Sequence, residues 1–492
     1  MQCSSTRVYK KRLLFSSRES VGHDKRRFPS GDSSGGGKLN ATPDPALSRS
    51  RNQGSGSSLS AAPPAQSAES PRVASSARRR ALGAAVIGNV LEWYDFAVYA
   101  FLATVLARKF FPSGDELSAL LATFAVFGVG FVVRPLGGII IGRLGDRRGR
   151  KIALSLTIVL MALGTVMIGL LPSYESIGVG ASALLVAARL LQGFSAGGEW
   201  GSSTAFIVEW APPQRRGLFG SLQQASVAGG FLLGSLTAAS LSTWLSPAAL
   251  EAWGWRVPFL FGGLLGPIGL YMRRNIEETP SFKAAVQERA ERGIASVPHG
   301  WRLAARAFGF TVLWTIAYYI FLSYMPTFLQ KHAGLDRTQA LWSNTLALLV
   351  LVAAAPAAGA LSDRIGRKPL LLASCAAFLL LPYPLFATLL SNPSLPAAIA
   401  VQVVFALAIA LFSGPGPAAI AEIFPTHMRS TWMSIGYSFA AALFGGFAPY
   451  VATWLIARTG SPLAPTYYVI GAAVVSAITI ATQRETAHEA LG

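Results

Sequence analysis

The chain has 492 residues, of which 52% are hydrophobic and 13% charged, and it carries a formal net charge of +19. A soluble domain carries about 25% charged residues, so this composition excludes an ordinary soluble enzyme and points to a protein whose surface meets hydrocarbon. The two cysteines, Cys3 and Cys375, exclude a disulfide framework or a cysteine metal cluster; no catalytic constellation and no metal site is expected, and Gly37-Lys38 lacks the surrounding residues of a phosphate-binding loop.

Residues 1–80 hold fifteen Lys and Arg against five Asp and Glu and are rich in Ser, Gly and Pro. Such a stretch buries too little apolar surface to fold alone and is expected to be a disordered basic tail. Its Ser/Arg character resembles a transit peptide, weakened by Asp24, Asp32 and Asp44; a start assigned too far upstream, with the chain beginning near Val73, is the alternative. About half of the net charge lies in this tail, so a nucleic-acid partner is not expected.

Twelve apolar stretches follow, at about 84–107, 117–141, 152–171, 180–205, 218–243, 255–272, 303–328, 340–358, 369–390, 396–420, 431–457 and 464–482. Each is long enough to cross a hydrocarbon core about 30 Å thick. They form an N-terminal half (81–272) and a C-terminal half (303–483), joined by a solvated, mixed-charge loop at 273–302 and followed by a short tail at 484–492. Prolines in the ninth and tenth stretches predict kinks. The expectation is an all-α integral membrane protein of twelve transmembrane helices in two pseudo-symmetric six-helix halves.

A loop signature recurs once in each half. Gly142, Asp146-Arg147 and Gly149-Arg150-Lys151 return, with identical spacing, as Gly359, Asp363-Arg364 and Gly366-Arg367-Lys368. A shared charged turn implies two related halves. Lys and Arg cluster after the second, fourth, eighth and tenth spans, whereas the opposite loops carry little excess positive charge, which predicts that both termini face the cytoplasm. Charge retention alone explains the arginines but not the fixed Gly and Asp. Asp146 and Asp363 can accept hydrogen bonds from a helix N-terminus and pair with arginines, so Asp146, Arg147, Arg150, Asp363, Arg364 and Arg367 are expected to lock the halves together on the cytoplasmic side. Glu209 and Arg216 follow the fourth span seven residues apart, and Glu422 and Arg429 follow the tenth at the same spacing; these read as further gate pairs that break when the inside opens. Glu199, near the cytoplasmic end of the fourth span, reads as a gate contact too.

Ionisable groups inside a membrane helix are expensive unless they face a cavity or a partner. Glu92 and Asp95 lie three apart in the first span, with Asn89 and Tyr99 extending the polar stripe, and Arg189, Gln192 and Glu199 share a face of the fourth. A polar helix-packing pair is the plainer explanation for the two carboxylates. Arg134 lies too deep in the second span to reach water easily, and an anion-binding role or a structural ion pair would each account for it. The second half offers aromatic candidates, Tyr318, Tyr319, Tyr324 and Tyr437, of which Tyr324 is favoured as a solute contact.

The paired signature resembles the loop motif of the major facilitator superfamily, over about 80–485. Gly88-Asn89-Val90-Leu91-Glu92-Trp93-Tyr94-Asp95-Phe96-Ala97-Val98-Tyr99 resembles the opening of its metabolite:proton symporter family, as do Arg134-Pro135-Leu136-Gly137-Gly138, Arg189-Leu190-Leu191-Gln192-Gly193-Phe194-Ser195-Ala196-Gly197-Gly198-Glu199-Trp200-Gly201 and Glu278-Thr279-Pro280-Ser281-Phe282. Members import citrate, shikimate, 2-oxoglutarate, proline or betaine with protons. The resemblance implies a multi-pass cell-membrane symporter, bacterial and of the inner membrane, that needs no cofactor beyond the proton gradient and acts as a monomer on a small solute. It further implies that the first and fourth spans line a common path, bringing Asp95 near Arg189. Asp95, with Glu92 as competitor, is then the expected proton-coupling carboxylate, and Arg189, Arg134, Gln192, Asn89, Tyr99 and Tyr324 the solute contacts. The two arginines favour a di- or tricarboxylate. A proline or betaine symporter is the alternative, lowered by the absence of the long heptad-bearing extension of the osmosensing members; a drug:proton antiporter is third, because Gly230-Phe231-Leu232-Leu233-Gly234 runs into Ser235 rather than a Gly-Pro step.

Overall fold

A computed structural model describes residues 71–148, 150–197, 199–274, 300–424, 429–487 and 489. Residues 1–70 and the linker at 275–299 lie outside the described residues, so most of the expected basic tail and central loop do too. The first helix begins at Pro71, ten residues inside the stretch expected to be disordered.

Among the described residues twelve helical segments can be followed, numbered here α1 to α12. In the first half α1 runs Pro71–Phe101 and resumes as Ala103–Phe110, α2 runs Glu116–Val132 and Arg134–Arg148, and α3 is Arg150–Leu170. α4 comprises Val179–Ala196 and Glu199–Trp210, α5 is Arg216–Trp244, and α6 is Arg256–Arg274. In the second half α7 spans Gly300–Tyr318 and, after the π-helical turn Tyr319–Tyr324, Met325–His332. α8 is Arg337–Ile365, α9 is Arg367–Leu380 with Pro382–Ser391, and α10 is Leu395–Ser413 with Gly416–Glu422. α11 is Arg429–Ala440, the π-helical turn Ala441–Gly445 and Ala448–Thr459, and α12 is Ala464–Ala481. By length and composition eight of these cross a membrane as they stand; α1 and α9 do so as pairs bent by 65° and 44°, while the apolar stretches of α3 and α6 are shorter.

Local chemistry explains the boundaries. Asp115 caps α2, accepting from the backbone N–H groups of Leu117 and Ser118 at 3.2 and 3.0 Å. The hydroxyl and N–H of Ser118 and the N–H of Leu117 all favour its ionised form and hold this exposed carboxyl below the usual range. The bend in α9 falls before Pro382 and the interruption of α10 at Gly414-Pro415, where prolines predicted kinks. Gly366 separates α8 from α9 at φ 100°, a left-handed conformation that a side chain disfavours.

The two halves repeat one packing scheme. In the first, α1 packs on α5 and α6, α3 on α6, and α4 on α2 and α3; in the second, α7 packs on α11 and α12, α9 on α12, and α10 on α8 and α9. The halves meet mainly where α5 lies along α8, and where α11 crosses α2. Lipid tails are as apolar as leucine, so such helices associate by close packing rather than by the hydrophobic effect. Glycines permit it: a Cβ on Gly193 would overlap the carbonyl of Gly130, one on Gly137 that of Phe194, and one on Gly197 that of Arg134. Backbone of α2 therefore rests directly on backbone of α4.

Gly193→Val is expected to lower the thermal melting midpoint in detergent, since overpacking a close contact costs about 1–3 kcal/mol. Gly471→Ala in α12, where nothing lies within 4 Å of the new methyl, should leave that midpoint unchanged; equal loss in both variants would refute the close-packing account.

Candidate functional site between the first and fourth spans

α1, α2 and α4 meet around two arginines. Arg189 of α4 is fully buried, and its guanidinium lies 4.4, 4.9 and 5.1 Å from the ring centres of Tyr99, Phe96 and Phe127. Arg134 of α2, 3% exposed, lies 4.1, 4.6 and 5.3 Å from those of Phe131, Phe96 and Trp93. Aromatic faces attract a cation by about 0.5–2 kcal/mol each, which offsets only part of the desolvation of a guanidinium. In both arginines Nε and Nη2 have no hydrogen-bond partner. Fixed, desolvated donors of this kind match the fork of a carboxylate.

Asp95 sits 4% exposed in α1, but it is not paired directly with Arg189. Thr165 of α3 donates to its Oδ2 at 2.6 Å, Gln192 Nε2 donates to the Thr165 hydroxyl at 2.8 Å, and Arg189 Nη1 donates to Gln192 Oε1 at 2.8 Å. The first and fourth spans do converge, as the resemblance implied, through a two-residue bridge. Thr165 carried no usable signal in the sequence: a lone threonine in an apolar helix ordinarily bonds the carbonyl four residues back, and Thr165 also lies 3.0 Å from the Met161 carbonyl.

The other expected solute contacts divide. Gln192 belongs to the bridge. Tyr99 lies under Arg189 while its hydroxyl donates to the Thr123 carbonyl at 3.0 Å, so its phenol is held by α2. Asn89 ties α1 to α5, donating to Ser226 Oγ at 2.7 Å and the Gln223 carbonyl at 3.2 Å, with its own Oδ1 unpartnered. Glu92 is half-buried one turn before Asp95. Tyr324 packs edge-on against Phe124, outside the arginine cage. The tyrosine of the second half that closes the cage is Tyr319, whose ring meets Phe131 and Phe127 at 5.3 and 5.9 Å and whose hydroxyl is unpartnered. It stands at the first position of a π-helical turn that changes the helix phase between it and Tyr324, a distortion the sequence pattern does not announce.

At the signature end Asp363 and Arg367 of the second copy are engaged. Asp363 accepts from the N–H groups of Gly217 and Leu218 at 2.8 and 2.9 Å, at the start of α5 in the other half, where unpaired helical N–H groups and the helix dipole favour an anion. Arg367 reaches Asp363 at 2.7 Å and Glu422 at 3.4 Å. Gly359 lies so close to Gly217 that a Cβ on it would come within 2.5 Å of the Gly217 carbonyl. The expected pairs of Glu and Arg at seven-residue spacing exchange partners between halves: Glu209 meets Arg429 at 3.1 Å and Arg216 meets Glu422 at 3.9 Å. Arg364 is exposed and lies outside this network. The side chains of Asp146, Arg147, Arg150 and Glu199 lie outside the described residues.

The C-terminal segment crosses the same surface. Thr486 donates to Glu422 at 2.6 Å, and Arg216 donates to the Glu489 carbonyl at 2.8 Å. Partial burial opposes ionisation of Glu485, yet the N–H groups of Arg367, Lys368, Ala487 and Thr486 outweigh it and hold the carboxyl below its usual range. A cavity of about 270 Å³ beneath this segment, lined by Arg306, Lys368 and Arg484 among others, shares no residue with the arginine cage. At the opposite end Lys331 meets Glu116 and Arg337 donates to Thr104 at 3.1 Å, so the halves are bridged at both ends.

The model of the family described as "Sugar (and other) transporter" matches residues 81–308, and that of the Major Facilitator Superfamily matches 315–490. A glycine betaine/proline/ectoine/pipecolic acid transporter of Dickeya dadantii is 35% identical over 84% of this chain and 84% of its own length. The chain belongs to the major facilitator superfamily. The proline/betaine transporter of Escherichia coli is similar at 35% identity over 84% of this chain and 85% of its own, and the citrate-proton symporter of Klebsiella pneumoniae at 37% over 79% and 87%. The fold matches that of the Escherichia coli xylose transporter in a partially occluded inward open conformation, with a TM-score of 0.70 at 19% identity over 85% of this chain and all of that one. The family and these relatives are transporters, so the chain is a transport protein and not an enzyme.

Within the crossed pairs the partners are unequal. Arg429 is fully buried and also donates to the carbonyls of Ala421 and Phe424 at 2.7 and 3.1 Å, whereas the Glu209 side chain is 29% exposed. Arg429→Gln, which takes the donor from the Ala421 and Phe424 carbonyls, is therefore expected to destabilise the protein by roughly 3 kcal/mol, and Glu209→Gln, whose amide oxygen can still accept from Arg429, by about 1 kcal/mol. Chemical denaturation in detergent would measure both, and equal losses would contradict the assignment.

Proposed function

We propose that the chain is a secondary carrier that imports a small organic anion, a di- or tricarboxylate or related metabolite, with protons by alternating access. The observation that carries this reading is Arg189: fully buried, ringed by aromatic side chains, with two guanidinium nitrogens unpartnered and hydrogen bonds linking it to a buried carboxylate. A charge in hydrocarbon costs about 3 kcal/mol or more unless protein groups meet it, so a guanidinium kept there with free donors is suited to a ligand. Arg134 adds a second positive charge, and Gln192, Asn89 and Tyr99 are further proposed solute contacts, with Tyr324 proposed as one farther along the path, outside the arginine cage. Asp95 is the proposed proton carrier and Glu92 its competitor; binding of the solute anion and of the proton then favour each other through a shared field. The energy source is the proton gradient, with no cofactor.

Asp363, Arg367, Glu209, Arg216, Glu422 and Arg429 are proposed as the gate at the signature end, with Asp146, Arg147, Arg150, Arg364 and Glu199 as further members. The distribution of Lys and Arg supports a cytoplasmic location for that end and for both termini; a cell membrane as the location and a monomer as the working unit belong to the same proposal. Opening requires the crossed pairs and the Asp363 contacts to break together.

A second reading, a zwitterion such as proline or betaine, is favoured by relatives that carry those names. Its carboxylate would take the same place on Arg189, and its ammonium would face aromatic rings.

Purified protein in liposomes with an imposed inward proton gradient is expected to concentrate labelled citrate or 2-oxoglutarate; concentration of proline or betaine alone would select the second reading. Arg189→Lys should lower uptake at least tenfold, because a point charge does not replace a bidentate fork. Asp95→Asn should abolish gradient-driven accumulation while sparing exchange of preloaded solute. Undiminished gradient dependence in that variant would remove Asp95 from the mechanism.

A further inference from the structure

We propose that Thr165 is the positioning residue that couples proton loading at Asp95 to the solute-binding state of Arg189, acting as a two-position hydroxyl switch. This rests on the reading of Asp95 as proton carrier. A hydroxyl has one proton to donate and two lone pairs to accept with. The Thr165 oxygen accepts from Gln192 Nε2 at 2.8 Å, and its single proton has two acceptors in reach, Asp95 Oδ2 at 2.6 Å and the Met161 carbonyl at 3.0 Å.

When Asp95 is ionised, the hydroxyl proton points to the carboxylate. When a proton arrives on Oδ2, the new carboxyl O–H donates to the Thr165 oxygen and the hydroxyl proton turns to the Met161 carbonyl. No other bond is made or broken, and Asp95 Oδ2, the Thr165 hydroxyl and Gln192 Nε2 keep a hydrogen-bond partner in both states. In the protonated state the Thr165 oxygen accepts from two donors and holds Gln192 less tightly. Gln192 Oε1 is the acceptor for Arg189 Nη1 at 2.8 Å, so loosening it releases a third guanidinium nitrogen to the solute. Proton binding thereby raises solute affinity, the sense a symporter needs, and solute binding raises proton affinity by the same factor.

The surroundings hold this geometry. Thr165, Gln192 and Arg189 are all fully buried. A Cβ on Gly164 would lie 2.7 Å from Gln192 Cγ, and one on Gly262 of α6 2.5 Å from Asp95 Oδ1 and 2.9 Å from Thr165 Cγ2, so α4 and α6 close on the switch from two sides. Threonine's branched Cβ restricts its rotamers. The charged groups acting on Asp95 are Arg189 from α4 and Glu92 from α1 itself; Arg134 from α2 and the hydroxyls of Tyr99 and Tyr319 act on Arg189, and Asp95 acts in turn on Tyr94.

The test is the pH titration of the infrared carbonyl band of protonated Asp95 in the purified full-length protein, identified by its loss in Asp95→Asn and needing no solute. Thr165→Val and Thr165→Ala remove a hydrogen bond to the ionised form and should move the midpoint upward by about one pH unit, while Thr165→Ser should restore it. In liposomes, the KM for whichever of citrate or proline the wild-type chain concentrates should lose its pH dependence in Thr165→Val and regain it in Thr165→Ser. An unmoved midpoint in both Val and Ala variants, with gradient-driven accumulation still lost in Asp95→Asn, overturns the switch and leaves the carrier reading intact. Retained accumulation in Asp95→Asn overturns that reading instead.

Discussion

Charge removed from water into a helix bundle has to be met by other protein groups, and the five buried arginines among the described residues meet that constraint in two ways. Arg216, Arg367 and Arg429 are matched to carboxylates at the signature end, Arg216 and Arg429 to those of the opposite half and Arg367 to Asp363 and Glu422 of its own. Arg134 and Arg189 are met by aromatic faces, with donors left over. The first solution is mechanical, because a pair that crosses an interface must separate if the interface opens. The second is receptive, because a cation with guanidinium donors left over still gains from an anion.

The bridges at the two ends of the molecule differ in character. At the signature end the Arg367, Asp363 and Glu422 side chains are 2, 8 and 3% exposed. At the opposite end the Glu116 and Lys331 side chains are 59 and 29% exposed, where water and salt screen the attraction. The opposite end is therefore the easier to part, and the signature end carries most of the electrostatic cohesion. The C-terminal segment, through Thr486 and the Glu489 carbonyl, adds to that asymmetry.

Much of the site was legible in the sequence because the expense of membrane-buried charge makes each such residue informative. Asp95, Arg134, Arg189 and Gln192 stand out of apolar runs, and the tertiary structure gathers them. Thr165 did not stand out, since threonine in an apolar helix satisfies itself on its own backbone. Tyr319 was passed over for Tyr324 because neighbouring tyrosines are distinguished only by helix phase, and a π-helical turn shifts that phase. What spacing along one chain could not supply was the exchange of ion-pair partners, Glu209 with Arg429 and Arg216 with Glu422.

The sequence by itself determined the twelve spans, the twofold repeat and the residues that bear charge, because hydrocarbon thickness, backbone satisfaction and desolvation act on each segment locally. Only the tertiary structure decided which charges meet. Contact between α2 and α4 through Gly130, Gly137, Gly193 and Gly197, and between α5 and α8 through Gly217 and Gly359, brings together groups far apart along the chain. The bridge from Asp95 through Thr165 and Gln192 to Arg189 spans three helices. Hydrogen bonds of that kind depend on placement to within a few tenths of an ångström, and that placement is a property of the packed bundle rather than of any one helix.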